Sequence, residues 1–465
     1  MPELQELRRA AREIFDEALA AVDARRAVLD AVRFDGQVLN IRGTRFDPRP
    51  RKIFSVALGK AAAAMASALD ERLGAALSAG VLSSPPSHFP LSERWRVYEG
   101  GHPLPDGASL EAARAALELL READDPSALI IFLVSGGGSA MMELPRDMRL
   151  TLAELREANR VLVNCGAPID EVNAVRRALS AVKGGGLAAH APRAAHVTLV
   201  VSDVAAGRAF DVASGPTLRP PDDSPPVREI VARRGLEAKL PPSVLRALAE
   251  SDAPAADARA NEAPREAPDA APREAPNEAP REFHVLLDNA RACEAAAAAA
   301  RARGFAVEVA ADISDQPVEE GAAALVSRLA ALRSREGAGR GAVCLISGGE
   351  FSCPVRGGGR GGRSSETALR CAVEFERLKV QNEAGGFPSH AVALCAGTDG
   401  VDGNSPAAGA LADEKTCERA RALGLDARRF LDGSDAHSFF ERLGDAVETG
   451  ATGTNVRDLR LLLAG

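Results

Sequence analysis

The chain has 465 residues, 46% hydrophobic and 26% charged, with a formal net charge of -8. The length exceeds one ordinary core and predicts two or three domains, and the composition is that of a soluble globular protein. Basic residues scattered singly among acids, with one Trp and one Tyr, exclude a nucleic-acid surface and base-stacking platforms. The seven cysteines are odd in number and form no Cys-x-x-Cys pair, which argues against a disulfide framework or zinc site and for a reducing compartment. The charged start Met1-Pro2-Glu3-Leu4 opens an amphipathic helix rather than a signal peptide. No apolar run approaches the roughly 20 residues that cross a bilayer. The expectation is a cytoplasmic protein with neither membrane nor nucleic-acid partners.

In chain order, residues 1–35 predict one or two helices, with Leu4, Leu7, Ile14, Phe15, Ala18 and Leu19 at helical spacing. Lys52–Leu58 predicts a strand, Gly59-Lys60 a turn, and Ala61–Leu69 a helix. A short strand follows at 80–82, then the proline-rich loop Gly100-Gly101-His102-Pro103-Leu104-Pro105-Asp106 and a helix over 108–122. Ala128–Val134 is an unbroken apolar run, the pattern of a strand buried on both faces. It ends in Ser135-Gly136-Gly137-Gly138-Ser139. Helices are predicted over 151–163, opened by the Thr151/Glu154 capping box, and over 169–182. A strand over 196–201 places Asp203 at its carboxyl edge.

The 254–281 stretch repeats Glu-Ala-Pro-Arg/Asn with no apolar face, so residues 241–281 are expected to be a disordered insert. Strand and helix then alternate again: strand 283–287, helix 290–303, strand 306–309, helix 318–333, strand 342–346, the loop Ser347-Gly348-Gly349-Glu350, a short strand 351–355, helix 365–379 and strand 391–395. Small helices are expected around 414–422, 437–443 and 455–463. This alternation predicts an α/β protein of two domains with largely parallel sheets, a Rossmann-like N-terminal domain over 1–240 and a smaller α/β domain over 282–465.

The residues with chemical potential gather at strand ends. Three glycines and two serines at 135–139 read either as an anion nest or as a plain turn. Lys60 begins a helix, where a cation is unfavourable unless an anion is shared; the alternative is a surface lysine with its stem laid down. Lys183 closes a helix at Lys183-Gly184-Gly185. The Ser347-Gly348-Gly349 turn echoes Ser135-Gly136-Gly137 and poses the same choice. Glu350, Arg363, Asp399 and Asp402 complete the set; the two aspartates are equally turn formers, and Arg363 equally a surface arginine. Cations, backbone donors and carboxylates without a nucleophile–base pair suit phosphoryl transfer, and no histidine has a convincing strand-end setting for acyl transfer. A Walker A run is absent. The run Gly357-x-Gly359-x-x-Gly362 matches a dinucleotide fingerprint literally, but its preceding strand is short and no acid ends a following strand at the right distance.

Several runs together carry a resemblance. Gly101-His102-Pro103 with Pro105-Asp106, Ser135-Gly-Gly-Gly-Ser-Ala140, Asn173-Ala-Val-Arg176 through Lys183-Gly-Gly, and Ser202-Asp203 through Ala213-Ser-Gly-Pro-Thr217 resemble the N-terminal domain of class II glycerate kinases. Gly361-Gly362-Arg363, Gly397-Thr398-Asp399-Gly400 with Asp402-Gly403, and Thr449-Gly-Ala-Thr-Gly-Thr-Asn455 look like that family's C-terminal MOFRL domain, at about 340–460.

The resemblance implies ATP- and Mg²⁺-dependent phosphorylation of D-glycerate, usually to 2-phosphoglycerate, in a cleft between two domains. It implies Lys60 and Arg363 as catalytic residues. Asp203 and Asp399 are expected to hold Mg²⁺ or to orient the glycerate hydroxyl, with Asp203 counted among the catalytic residues as well. Ser135–Ser139, Lys183 and Ser347–Glu350 are expected to bind phosphate or substrate, and a homodimer is compatible with it. The family usually has Arg-Asn-Gln-Glu where this chain has Arg363-Ser364-Ser365-Glu366. That departure keeps a non-catalytic binder of phosphorylated metabolites in view. Some relatives bear the hydroxypyruvate reductase label, the NAD(P)-dependent alternative.

Overall fold

A computed structural model describes residues 3–47, 52–218, 225–251, 280–336, 341–381 and 390–465. The chain divides into two compact units, one of Ala24–Leu286 and one of Met1–Asp23 with Leu287–Gly465.

The chain begins with α1 (Leu4–Ala21) and α2 (Ala24–Ala31), and then, where a continued helix is expected, with a three-stranded meander of β1 (Val32–Phe34), β2 (Leu39–Ile41) and β3 (Thr44–Phe46). Next come β4 (Lys52–Leu58), α3 (Ala62–Leu73), β5 (Leu77–Ser83), β6 (Trp95–Tyr98), α4 (Gly107–Glu122), β7 (Ala128–Ser135) and α5 (Gly138–Met141). Then follow α6 (Leu152–Asn164), α7 (Ile169–Leu179), β8 (Ala195–Val201), α8 (Val227–Arg233), α9 (Pro242–Ser251) and β9 (Arg281–Leu287).

In the first unit the sheet order is β6-β5-β4-β7-β8-β9. The pairs β4/β5, β5/β6, β4/β7 and β7/β8 are all parallel. This is the doubly wound order, and it reverses between β4 and β7. All eight residues of β7 are buried, as a strand covered by helices on both faces requires. The predicted capping box is in place on α6, and Asp106 caps α4 by accepting from the Ser109 N–H at 2.9 Å.

The second unit continues with α10 (Asn289–Ala302), β10 (Ala306–Val309), α11 (Val318–Glu336), β11 (Val343–Gly349), α12 (Arg363–Gln381), β12 (Ala391–Gly397), β13 (Gly409–Asp413), α13 (Thr416–Ala422), α14 (Ala427–Asp432), α15 (Ala436–Leu443), β14 (Ala446–Val447) and β15 (Asp458–Ala464). Its sheet order is β10-β11-β15-β12-β13-β14. Only β10/β11 is parallel among the pairings; β15 runs antiparallel to both its neighbours, as do β12/β13 and β13/β14. The α/β reading holds, but this sheet is mixed. The reason is β15. Residues 455–463 were expected to be helical because leucine favours helices, yet the run is short, continuously apolar and central in the sheet, where tertiary packing overrides propensity. All seven residues of β15 are buried.

Domain limits also shift. Leu7, Ile14, Phe15 and Ala18 of α1 pack with Leu459, Leu461 and Leu463 of β15, so residues 1–23 belong with the C-terminal unit, not with 1–240. β9 joins the N-terminal sheet, so that unit runs to 286 rather than 240. Helix α9 occupies the start of the expected 241–281 insert, whose residues 252–279 lie outside the described residues. The expected strand 351–355 reduces to a single bridge from Ser352 to Pro317.

Candidate active site

The strand order sets the first part of the site. At a switch point the crossovers leave in opposite directions and open a crevice at the carboxyl ends of the two strands. Gly59-Lys60 follows β4, and Gly136–Ser139 follows β7, the two strands on either side of that reversal. The turns are stitched together by the chain itself. The Lys60 N–H donates to the Gly136 carbonyl at 2.8 Å, and the Ala61 N–H donates to the Ser135 hydroxyl at 3.0 Å. Ser135 is therefore a brace beneath Lys60, fully buried. Gly59 has to be glycine, since a Cβ there would lie 2.4 Å from the Ser135 carbonyl oxygen.

Gly137 carries a φ of 81°. A Cβ on it would lie 3.2 Å from both the Lys60 Cγ and the His102 Cδ2, so lysine and imidazole flank this glycine. The His102 loop is pinned from both sides. Gly101 donates to the Ser109 hydroxyl at 3.0 Å, and Gly100 is wedged against the Met141 carbonyl, which also accepts from Ser83 at 2.5 Å. Ser139 lies 3.0 Å from the Ser214 hydroxyl. Asp203 comes two residues after β8, which pairs with β7, so it shares the same sheet edge. Lys60, Ser135–Ser139 and Asp203 are thus brought to one edge of one unit.

Lys183 is not available there. Its ammonium forms a buried ion pair with Glu143, whose other oxygen accepts from Ser180 at 2.6 Å. Burial pulls the Lys183 pKa below the usual lysine range, with Glu143 opposing the shift. Lys183 is thus 2% exposed with its charge matched by Glu143.

The second unit holds the other set. Arg363 opens α12 and donates through Nε to Asp458 Oδ2 at 2.6 Å, and through Nη2 to Asp458 Oδ1 at 3.2 Å and Glu350 Oε1 at 2.6 Å. Burial works against its charge, but Asp458 and Glu350 outweigh it and raise its pKa. Asp402 caps α12 from a distant loop. It accepts from the N–H groups of Gly362 (3.0 Å), Ser364 and Ser365 (2.9 Å each) and from the Ser365 hydroxyl (2.6 Å). Burial still pushes its pKa up to about 6. Asp399 makes a turn, accepting from the Val401 N–H at 3.1 Å.

The second Ser-Gly-Gly is not the loop expected. Ser347, Gly348 and Gly349 are the last residues of β11, paired with Arg460, Leu459 and Asp458. The Ser347 hydroxyl donates to the Ile313 carbonyl and accepts from Arg460 at 3.2 Å. The Gly349 N–H donates to Asn289 Oδ1 at 2.9 Å. Its polar groups are spent within the protein.

Two family models match this chain: a domain of unknown function, DUF4147, over residues 10–249, and the MOFRL family over 343–458. The D-glycerate 2-kinase of Thermotoga maritima is 31% identical over 98% of this chain and 98% of its own. A human glycerate kinase is 35% identical over 97% of this chain and 92% of its own. A crystal structure of glycerate kinase from Thermotoga maritima superposes with a TM-score of 0.77 at 30% identity, covering 99% of this chain and 100% of that one. This chain belongs to the class II glycerate kinase family. An Agrobacterium vitis relative with a provisional hydroxypyruvate reductase name is 32% identical over 98% of this chain.

As a class II glycerate kinase, the chain departs from the family's Arg-Asn-Gln-Glu at Ser364-Ser365. Here the Ser365 hydroxyl adds one hydrogen bond to the Asp402 cap that the backbone N–H groups already make. His102, whose loop has no strand-end setting in the sequence, flanks Gly137 together with Lys60. Asp458 was hidden by the helical reading of 455–463. No helix among the described residues is long and apolar enough to cross a membrane.

Proposed function

We propose that this chain transfers the γ-phosphoryl group of ATP to the 2-hydroxyl of D-glycerate. In this reading the hydroxyl oxygen attacks the γ-phosphorus, the bond to the β–γ bridging oxygen breaks, and ADP leaves. Such a reaction asks the protein mainly to position groups and to neutralise charge. Lys60 and Arg363 supply positive charge to the migrating phosphoryl group, the Gly136–Ser139 turn holds a phosphate or the glycerate carboxylate, and Asp203 orients the hydroxyl. Mg²⁺ commonly keeps several waters and takes one or two carboxylates plus substrate phosphates. Among the described residues no group of three or more His, Cys, Asp or Glu side chains is arranged to hold a metal. Asp203 and Asp399 would supply its carboxylates, with substrate phosphates and water completing its shell.

The observation that carries this is the placement of Lys60 and the glycine turn at the β4/β7 reversal, in a chain aligned end to end with glycerate kinases. The reductase alternative lacks a comparable site. Among the described residues β11 ends at Gly349 and no strand runs directly into Gly357-x-Gly359-x-x-Gly362, and Asp402 fills the α12 N-terminus where a pyrophosphate would be received. ADP release measured with D-glycerate, beside nicotinamide absorbance with hydroxypyruvate, tests the choice. The reading expects the first and fails if only the second responds.

A further inference from the structure

The MOFRL-matched unit contains an arginine clamp built around the central strand, and it starts from three residues in register. On β15, Asp458 pairs with Gly349 of β11 on one side and with Gly397 of β12 on the other. A Cβ on Gly397 would meet Asp399 Oδ1 at 3.2 Å and Asp458 Oδ1 at an ordinary 3.5 Å, and one on Gly349 would lie 2.4 Å from the Ser314 carbonyl oxygen. Asp458 thus stands between two residues that carry no side chain. Against its carboxylate comes Arg363, the first residue of a 19-residue helix.

Asp458 takes Nε and Nη2 of the guanidinium together, and Glu350 takes Nη2 again. Nη1 makes no hydrogen bond among the described residues. The burial is graded: the Asp458 side chain is 5% exposed, while Arg363 remains 37% exposed. Below Asp458 on the same strand face, Arg460 is buried and stacked 3.6 Å from the centre of the Phe351 ring. Asp458 thus stands between two guanidinium groups, and its contacts with Arg363 hold the carboxylate in place. The helix end is fixed independently by Asp402, so Arg363 is held both at its backbone and at the inner edge of its fork.

We propose that Asp458 is a positioning residue for the phosphoryl transfer: it grips the inner edge of the Arg363 guanidinium so that the outer edge is presented, already oriented, to an anionic oxygen. This deepens the kinase reading and rests on it. An arginine so held loses little rotamer freedom when it meets a phosphate, and its geometry is set before the reaction.

The test is a cycle of Asp458→Asn, Arg363→Ala and the double variant in the full-length chain. Asp458→Asn is expected to lower kcat by about a hundredfold, the cost of a misplaced group, with KM for D-glycerate changing less than about threefold as chemistry rather than ground-state binding is lost. The double variant is expected to be no slower than Arg363→Ala. Losses that multiply, or a kcat for Asp458→Asn within about twofold of the parent, overturn the proposal. If Asp458→Asn does not fold, Arg363→Lys decides. It keeps the charge but cannot grip both oxygens, and it is expected to be nearly as slow as Arg363→Ala; parent-like turnover overturns the clamp. Labelling with an arginine-selective dicarbonyl, read at Arg363 by mass spectrometry, separates this proposal from the kinase reading. Asp458→Asn should label Arg363 several-fold faster even if the parent turns over no glycerate, and equal labelling overturns the clamp on its own.

Discussion

Two strands in this molecule end in the same tripeptide, and the sequel differs. Ser135 closes β7, and Gly136-Gly137 turns out of the strand beside Lys60 and His102. Ser347-Gly348-Gly349 is still inside β11, closed by Asn289, Ile313 and Arg460. The serines play similar parts, each a buried brace. The difference lies in the neighbour strand. β7 is flanked by parallel strands, so its carboxyl end opens with theirs onto one edge. β11 is flanked on one side by antiparallel β15, whose start, Asp458, is brought against Gly349. A motif read from one strand alone does not say which partner will cover it.

The two cations at these ends break the comparison most sharply. Lys60→Ala should lower turnover by about three orders of magnitude or more, as expected for loss of charge stabilisation in a phosphoryl transfer, while the melting temperature stays within about two degrees of the parent, since surface-accessible changes are nearly neutral. Arg460→Met should do the reverse in kind. It leaves the Ser314 carbonyl and the Ser347 hydroxyl without their donor, and a loss of about 2 kcal/mol is expected in urea unfolding. A large stability loss in Lys60→Ala, or none in Arg460→Met, would reverse the assignment of open and closed ends.

The glycines give a second, smaller contrast. Gly348→Ala places a Cβ 1.8 Å from Asn289 Oδ1, a side chain tied to the Val456 and Asp458 carbonyls at 2.7 and 3.0 Å. A cost of about 1–3 kcal/mol is expected from overpacking. Gly137→Ala meets its nearest neighbours at 3.2 Å and strains a left-handed backbone, costing about 1 kcal/mol. Its main effect should be on kcat, through Lys60 and His102. Thermal melts and steady-state rates on both variants decide whether strain at each site is paid in stability or in turnover.

The smallest effect is in pH dependence, where one residue from each unit should act with opposite sign. Burial depresses the His196 pKa to about 4, and the nearby Arg281 charge adds to the shift. The unfolded chain then binds its proton first, so His196 contributes stability above pH 6.5 that is lost as pH falls toward 4. Asp402 is raised to about 6 by burial. Its contribution is present below about pH 3.8 and lost as pH rises through 6. Denaturant titrations of His196→Phe and Asp402→Asn between pH 4 and 6.5 should change the slope of stability against pH in opposite directions. Slopes that change together contradict the burial account.

Much of this fold was legible because its strands are buried runs ended by glycine and its helices announce their starts, as with Thr151 and Glu154. The shared placement of Lys60, Gly136–Ser139 and Asp203 was legible for the same reason: all sit where strands stop. What escaped depended on partners distant in sequence. Asp458 lies at the head of a leucine run whose strand character comes from its place between β11 and β12. His102 takes its position from Ser83, Ser109 and Met141. The partner of Lys183 is Glu143, forty residues earlier, which no local pattern announces.

The central claim is that this chain phosphorylates glycerate, and at the 2-hydroxyl. Phosphorus NMR of the mixture formed from D-glycerate, ATP and Mg²⁺ tests the reaction and its position together. The account predicts ADP and 2-phosphoglycerate in equal amounts. Persistence of ATP with unchanged glycerate, or phosphate found on the 3-hydroxyl, would contradict it.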